Sequence, residues 1–179
     1  MRIIAGKYKN TVLEAPLGDK TRPTKDMVKE ALFSSLGFFN GNENFLDLFG
    51  GSGAVGLEAL SRGVKSVCIN DLSKSAYLTI KRNAMKFDGD IRITNYDYVS
   101  FLNYNDVVFD YIFIDPPYKF DEFEKLFSLI TDKKCLNDDG IIIFETAKET
   151  VLDEKYGDFI LYKEKRYGIT RLNYFKRCI

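Results

Sequence analysis

The sequence contains no histidine in its 179 residues. That absence excludes catalytic triads, acid–base catalysis by histidine and metal sites with histidine ligands. Cysteine is scarce, and the spacing of the three that occur matches no metal-binding motif; they are Cys68, Cys135 and Cys178. Any chemistry must therefore come from carboxylates, hydroxyl groups and the backbone, and we expect no bound metal.

Long apolar runs are also absent. None approaches the about 20 residues that a membrane-spanning helix needs, and residues 1–7 lack the apolar core of a signal peptide. Together with the few cysteines, this predicts a protein of the reducing cytoplasm with no membrane partner. Hydrophobic residues make up 45% and charged residues 29%, as in soluble globular proteins. We expect one domain, 1–179, which is monomeric.

Charge is balanced overall, with 26 basic and 26 acidic side chains, but it is distributed unevenly along the chain. Residues 1–30 carry seven basic and four acidic side chains, residues 155–179 carry seven and two, and residues 90–154 carry six and fifteen. Basic ends around an acidic middle suggest a polyanionic partner held at the ends. The alternative is a solvated surface on which these charges mix again after folding.

After residue 40, short apolar runs alternate with helical patterns. We predict strands at 45–49, 67–70, 91–94, 110–114 and 141–145. Helices are predicted from the glycine loop to about residue 62, at 73–87 and at 121–131. This alternation is typical of βαβ units and a mostly parallel sheet, hence of an α/β fold. The runs 159–165 and 170–176, on either side of Tyr167-Gly168, predict a closing antiparallel hairpin.

The first 40 residues predict an N-terminal extension to this catalytic core, which would span 41–179. Two short strands at 2–5 and 11–14 flank a Gly-Lys-Tyr-Lys-Asn turn. A helix is then expected from about 24 to 37, capped by Thr24 and ended by Gly37.

Ligands of such sheets bind beyond the carboxyl ends of the strands, where the first strand meets a glycine loop. Residues 51–56 match the G-x-G-x-x-G pattern, which dinucleotide sites share, so a nicotinamide-dependent oxidoreductase is an alternative. Asp47 favours S-adenosylmethionine, because a carboxylate repels a pyrophosphate but attracts ammonium and sulfonium charges. A tight turn capped by this aspartate is the structural alternative. The predicted cofactor residues here are Asp47, Phe49, Gly50, Gly51, Ser52 and Gly53.

The ends of the second and third strands predict further cofactor contacts. Asn70 and Asp71 lie about twenty residues beyond the glycine loop, where a carboxylate commonly binds ribose hydroxyls. The sequence leaves open which of the two does so, and Asp71 could instead cap the next helix. Asp97 or the adjacent Tyr98 is expected beside the adenine, unless Asp97 is an ordinary loop acid.

The fourth strand ends in Asp115-Pro116-Pro117-Tyr118. Two prolines remove backbone donors and stiffen the loop, which then presents carbonyl oxygens, one carboxylate and an aromatic ring. A base amino nitrogen is a poor nucleophile, and hydrogen bonds to Asp115 and to the Pro116 carbonyl would orient its lone pair and stabilise the developing charge. Tyr118 would stack on the extruded base. The alternative is a proline-rich turn with an exposed tyrosine.

These motifs resemble the RsmD-like family of small-subunit ribosomal RNA guanine-N2 methyltransferases. The likeness runs nearly end to end and also includes the opening residues 1–7, Arg22-Pro23-Thr24, the run 29–33 and the run 56–63. It implies a Rossmann-like class I fold with a seven-stranded sheet and a cytoplasmic bacterial enzyme. That enzyme would transfer a methyl group from S-adenosyl-L-methionine to N2 of one guanine in 16S ribosomal RNA. Asn70 departs from the family's usual glutamate, and Tyr118 and Gly51 replace its common phenylalanine and alanine.

The resemblance implies ribosomal RNA or the small subunit as partner, and the predicted RNA contacts are Lys7, Lys9, Arg22 and Thr24. Three alternatives stay open. The chain could methylate adenine N6 in DNA or RNA, or a protein amide, since the Asp115–Tyr118 motif serves those substrates too. It could be the oxidoreductase mentioned above, or an RNA-binding module with an inactive pocket.

Overall fold

One eight-stranded sheet organises the part of the chain that the computed structural model describes, residues 1–16 and 23–178. The strands are β1 Asn44–Asp47, β2 Ser66–Asn70, β3 Asp90–Thr94, β4 Phe109–Ile114, β5 Leu136–Ala147, β6 Lys155–Tyr156, β7 Phe159–Tyr167 and β8 Thr170–Arg177. The helices are α1 Pro23–Leu36, α2 Ala54–Ser61, α3 Lys74–Ala84, α4 Tyr98–Tyr104 and α5 Phe123–Asp132. No helix in these ranges is long and apolar enough to cross a bilayer.

The strand order is β3-β2-β1-β4-β5-β8-β7-β6. The first five strands of this order pair in parallel, and β8 then pairs antiparallel with β5 and with β7. The predicted α/β class, parallel core and closing hairpin are confirmed. The sheet has eight strands rather than seven, because β6 pairs with the start of β7. With two residues, β6 is too short to produce an alternating pattern.

Two apolar layers cover the sheet. On one face, α1, α2 and α3 pack against residues that include Phe45, Ile69 and Phe113. On the other, α4 and α5 pack against residues that include Leu46 and Ile112. Successive strand residues thus alternate between the two layers, and both faces of the parallel core are buried, as such sheets require. Sequence analysis missed α4, whose single apolar pair, Phe101 and Leu102, is too brief for a helical period to stand out.

The N-terminal segment, residues 1–14, is not the pair of strands predicted at 2–5 and 11–14. Its two arms form one antiparallel bridge, between Arg2 and Val12, and a few backbone hydrogen bonds, such as that from the Ile3 N–H to the Thr11 carbonyl at 3.0 Å. Most of its remaining backbone groups bind α2 and α3 instead. The fully buried Glu58 accepts hydrogen bonds from the backbone N–H groups of Ile4 and Ala5, at 2.8 and 3.0 Å. A side-chain acceptor therefore adds to the short pairing of the two arms and holds the segment on the core.

The predicted helix at 24–37 is confirmed with shifted ends. It begins at Pro23, whose missing N–H costs nothing in a first turn. Thr24 is consequently the second helical residue and not the residue before the helix, so the predicted cap is wrong. Gly37 follows the last helical residue with φ +84°, the left-handed conformation in which glycine commonly ends helices.

The turn of the N-terminal segment depends on Gly6. Its φ is +85°, and a Cβ added there would lie 1.8 Å from the carbonyl oxygen of Ser61. Gly157 has a similar φ of +53°, but an added Cβ would meet nothing within 4 Å. The two glycines share the conformational requirement, and only Gly6 adds a steric one.

We expect Gly157→Ala to lower the free energy of unfolding by about 1–2 kcal/mol, the cost of a left-handed alanine. Gly6→Ala should cost about 1–3 kcal/mol more, because the segment must move away from α2. Urea denaturation of both variants measures the difference. Equal losses would contradict the close packing of the segment on Ser61.

Candidate active site

A cavity of about 600 Å³ opens at the carboxyl ends of the central strands. It lies where the strand order reverses, between β1 and β4, which is the usual ligand position in an open α/β sheet. Residues after β1, β2 and β4 line it, together with α1 and Met1. We call it the first cavity.

Carboxylates from four adjacent strands line the first cavity: Asp71 after β2, Asp47 at the end of β1, Asp115 after β4 and Glu145 in β5. Their common position follows from the register. Asp47 pairs with Phe113, and Ile114 pairs with Phe144. Side chains two residues apart on a strand share a face, so these strands direct their acids into one space.

Asp47 is the most deeply buried of these acids, with 1% of its surface exposed. Its carboxylate accepts a hydrogen bond from the N–H of Gly56 at 3.0 Å. Burial raises the pKa of Asp47 to about 7, and the negative charges of Asp115 and Asp71 act in the same direction. The site therefore has an unmet preference for positive charge at this carboxylate.

Backbone N–H groups of the glycine loop, residues 50–53, already donate hydrogen bonds to acceptors within the protein. The Gly50 N–H donates to the Asn70 carbonyl at 2.7 Å, and the Gly51 N–H donates to the Asp71 carboxylate at 2.8 Å. Only Gly51, with φ +57° and open space around it, faces the cavity freely, whereas a Cβ on Gly50 would meet the Ile69 side chain at 2.4 Å. Gly50 lines the cavity as well, and its missing side chain also allows this close packing on β2. A phosphate would meet carboxylates here instead of free N–H groups.

The structure separates Asn70 from Asp71. Asn70 is buried and does not line the cavity, and its amide is used within the protein. The amide donates to the carbonyls of Leu48 and Tyr96, and its oxygen accepts from the Thr94 hydroxyl and the Tyr96 N–H. Asn70 is thus a structural residue that joins β1 to β3. Asp71 lines the cavity and is not the cap of α3, which is Ser73.

Two other predicted cofactor residues lie outside the cavity lining. Asp97 caps α4, where its carboxylate accepts from the N–H and the hydroxyl of Ser100 at 2.9 and 2.7 Å. Tyr98 donates its hydroxyl to Glu122 and packs against Phe49, with ring centroids 6.1 Å apart. Tyr98 supports the ring of Phe49, which does line the cavity. The contacts of this pair with the adenine remain a prediction, and the helix that places the two residues, α4, was not foreseen.

Gly53 is a third predicted cofactor residue that does not line the first cavity. It is the residue before α2, with φ +78°, and its N–H donates to the Gly50 carbonyl at 2.7 Å. Gly53 therefore closes the glycine loop and starts the helix.

The Asp115–Tyr118 loop stands between two cavities. Asp115 and Pro116 line both the first cavity and a second one of about 630 Å³, while Pro117 lines the first and Tyr118 the second. Tyr118 is 85% exposed at the mouth of the second cavity. The Pro117 carbonyl accepts from the Phe120 N–H at 2.8 Å and closes the turn.

Sequence analysis missed several lining residues, of which Lys29 is the most unusual. It is buried, donates to the Arg2 carbonyl at 2.5 Å and lies 3.4 Å from the Glu58 carboxylate. Burial lowers its pKa, against the attraction of Glu58. The sequence did contain a signal for the burial of Lys29. It precedes the buried Leu32 and Phe33 by three and four residues, a spacing that places it on the apolar face of α1.

The family comparison decides the class. A model of the family described as conserved hypothetical protein 95 matches residues 1–176. The chain belongs to this RsmD-like family. The YlbH protein of Bacillus subtilis, named as a candidate rRNA methyltransferase, is 36% identical over 99% of both chains. Ribosomal RNA small subunit methyltransferase D of Escherichia coli is 32% identical, over 99% of this chain and 90% of its own.

A solved structure supports the same grouping. The Escherichia coli protein YhhF, described as a candidate methyltransferase, matches this RsmD-like chain with a TM-score of 0.84 and 30% identity. The match covers 99% of this chain and 97% of YhhF. The methyltransferase fold implied by the sequence resemblance is therefore confirmed.

Two of the predicted RNA contacts of this RsmD-like protein, Lys7 and Lys9, do not line the first cavity. Lys7 and Lys9 are exposed, and the Lys7 N–H donates to the carbonyl of Ser61, the last residue of α2. The eight residues of α2 separate them by about 12 Å from the glycine loop. Thr24 lies in the first turn of α1, and Arg22 lies outside the described residues.

The raised pKa of Asp47 predicts a pH-dependent stability of the ligand-free protein. A carboxyl that titrates near 7 when folded and near 4 when unfolded disfavours folding as the pH rises through that window. Asp47→Asn removes the titration and can still accept from Gly56. We expect the variant to gain stability relative to the native chain as the pH rises from 5 to 7, by up to about 1.4 kcal/mol per pH unit, and the difference to level off by pH 8.

Urea denaturation at pH 5, 6, 7 and 8 measures this difference. As a control, Asp138→Asn changes an exposed aspartate. Its plot of unfolding free energy against pH should run parallel to that of the native chain. Parallel curves for Asp47→Asn as well would mean that Asp47 titrates normally.

Proposed function

We propose that this chain transfers a methyl group from S-adenosyl-L-methionine to the N2 amino group of a guanine in small-subunit ribosomal RNA. The observation that carries this proposal is the wall between the two cavities. Asp115, Pro116, Glu145 and Val28 line both, so two ligands could meet at one rigid loop. Group transfer between a donor and an acceptor needs this arrangement.

The first cavity suits the donor by charge. S-adenosylmethionine carries an ammonium and a sulfonium cation and no phosphate, and the cavity is lined by five carboxylates, the four at the strand ends and Asp26 of α1. We assign Asp47 to the ammonium group, because binding a cation there would relieve the cost of its buried charge. Asp71 would accept from the ribose hydroxyls, and Phe49, Gly51 and Ser52 would contact the donor from the glycine loop.

The second cavity suits a planar acceptor. Tyr118 would stack on an extruded base at its mouth, worth about 1–3 kcal/mol. Asp115 and the Pro116 carbonyl would accept the N–H bonds of the amino group and hold its lone pair toward the first cavity. The nitrogen lone pair forms the new bond to the methyl carbon while the carbon–sulfur bond electrons stay on sulfur. The methylated nitrogen then loses one proton to Asp115 or to water, and the acids stabilise its transient positive charge.

Ribosomal RNA is proposed as the substrate because relatives at 32–36% identity carry that activity in their names. The exposed lysines of the N-terminal segment supply the positive charge that an RNA backbone requires. The nicotinamide alternative conflicts with the carboxylate-lined cavity, which would repel a pyrophosphate. An inactive pocket conflicts with a buried charge at Asp47 that only a ligand would compensate.

The proposal predicts separate roles for the two cavities. We expect Asp115→Asn to lower methyl transfer to small ribosomal subunits from cells that lack the enzyme by about 100-fold, because the acceptor of the growing charge is weakened. Its affinity for S-adenosylhomocysteine should change by less than about threefold, since we assign the ammonium group of the donor to Asp47 and the amino group of the acceptor to Asp115. Labelled-donor transfer and calorimetric titration measure the two effects.

Asp47→Asn makes the same chemical change in the donor cavity and should instead affect donor binding. It should abolish measurable S-adenosylhomocysteine binding, and native binding should weaken below pH 7 as Asp47 becomes protonated. Mass analysis of the modified nucleosides must identify N2-methylguanosine. A different methylated nucleoside, or binding of NAD in place of S-adenosylhomocysteine, would overturn the proposal.

The proposed RNA contacts predict a change in salt dependence. Lys7→Ala with Lys9→Ala should weaken binding to the small subunit and reduce the slope of log affinity against log salt by about 1–2, the loss of two phosphate contacts. Lys133→Ala with Lys155→Ala, two exposed lysines on the α5 side, is the matched control and should change neither quantity. An unchanged slope in the Lys7 and Lys9 variant would exclude these contacts.

A further inference from the structure

Glu145 is the one acid lining both cavities that sequence analysis did not consider. It is half-buried in β5 and lines both cavities. The pairing of Ile114 with Phe144 makes Asp115 and Glu145 neighbours across parallel strands, about 5 Å apart at the backbone. Both residues follow an apolar residue that points into the opposite layer, so their side chains share the cavity face.

The second cavity has the shape and chemistry of a site for one base. Asp115 and Glu145 line one part of it, while Val28 and Ile169 contribute apolar surface. Tyr118 lies at its mouth. Three carboxylates, those of Asp115, Glu145 and the exposed Glu149, therefore line a space that is also bounded by an aromatic ring and aliphatic side chains. A ligand that fills this space must present several hydrogen-bond donors from one edge of a flat ring.

Guanine presents such an edge. Its N1–H and its two N2–H bonds are three donors in the ring plane, and no acceptor lies between them. A carboxylate can accept from N1–H and one N2–H together, and a second acceptor can take the other N2–H. Adenine presents one amino group beside N1, which is an acceptor in that base, and its lone pair would oppose a carboxylate.

We propose that Glu145 is the residue that selects guanine, by accepting from N1–H and sharing one N2–H with the Pro116 carbonyl, while Asp115 accepts from the other N2–H. The inference rests on the proposed function and assigns its base specificity. It answers the choice between guanine and adenine that the Asp115–Tyr118 motif leaves open. Glu145 then acts as a specificity and positioning residue, because the same contact that reads N1–H fixes the orientation of N2.

The test replaces the target guanine by 2-aminopurine, which keeps the N2 amino group and has an acceptor at N1. Small subunits reconstituted around ligated ribosomal RNA carry either base at the target position. The native enzyme should methylate 2-aminopurine about 10- to 100-fold more slowly than guanine, the discrimination expected of one bidentate contact. Glu145→Gln should slow guanine transfer by at least tenfold and 2-aminopurine transfer by less than threefold, because its amide N–H can donate to N1.

The ratio of the two rates is the decisive readout, since a merely structural role for Glu145 would slow both substrates alike. Glu124→Gln makes the same chemical change on the exposed side of α5 and should keep the native ratio. Binding of S-adenosylhomocysteine by Glu145→Gln within threefold of the native value reports a folded first cavity. If that binding is lost, Glu145→Asp, which keeps the charge, supplies the comparison and should retain guanine selectivity better than Glu145→Ala.

The outcomes distinguish this inference from the proposed function. A native enzyme that transfers no methyl group to guanine N2 contradicts the function itself. A native enzyme that methylates guanine, paired with a Glu145→Gln variant that keeps the full preference over 2-aminopurine, overturns only the role of Glu145. A narrowed ratio in Glu145→Gln, with Glu124→Gln unchanged, supports it.

Discussion

Backbone hydrogen bonds pair β1 with β4 and β4 with β5 in parallel at the centre of the sheet, and this register controls everything at the carboxyl edge. It brings Asp47, Asp115 and Glu145, which are 68 and 30 residues apart in sequence, to one face of three adjacent strands. A slip of one residue in any pair would turn that strand's acid into the opposite apolar layer. The buried residues Phe113 and Ile143 on the same face resist such a slip, so the core and the site are specified together.

Clustering carboxylates at one edge of the sheet costs folding free energy, and this electrostatic cost is confined to a small part of the fold. Asp47 carries most of it, because it is almost fully buried and has two acids nearby. One hydrogen bond from Gly56 does not compensate for the lost hydration, which is why its pKa rises to about 7. Stability given up at such a position is typical of a binding site that a ligand completes. The cationic donor is the ligand whose charge would restore the balance.

Prediction from sequence was accurate where a pattern is local and failed where a partner is distant. Strand and helix periods gave β1 to β5, and rare motifs located Asp47 and Asp115. The roles of Asn70 and Asp97 could not be predicted from local sequence patterns. The side-chain amide of Asn70 forms hydrogen bonds with residues 22 to 26 positions away in the sequence. Asp97 caps a short helix, which has too few apolar residues to be predicted from its pattern. Glu145 escaped notice because an acid at a strand end has no motif, and its meaning comes only from its register beside Asp115.

The acidic wall also explains how a polyanion could be accommodated at an acidic site. Phosphates would be repelled by the carboxylates that line both cavities, so a nucleotide could enter only with its base first and its backbone outside. The lysines of the N-terminal segment lie about 12 Å from the glycine loop, where they could hold that backbone without neutralising the site. Glu58 fixes this distance, since it binds the segment to α2. The uneven charge along the chain thus fits a spatial separation, in which the acids would receive the cation and the base while the lysines of the N-terminal segment would attract phosphates.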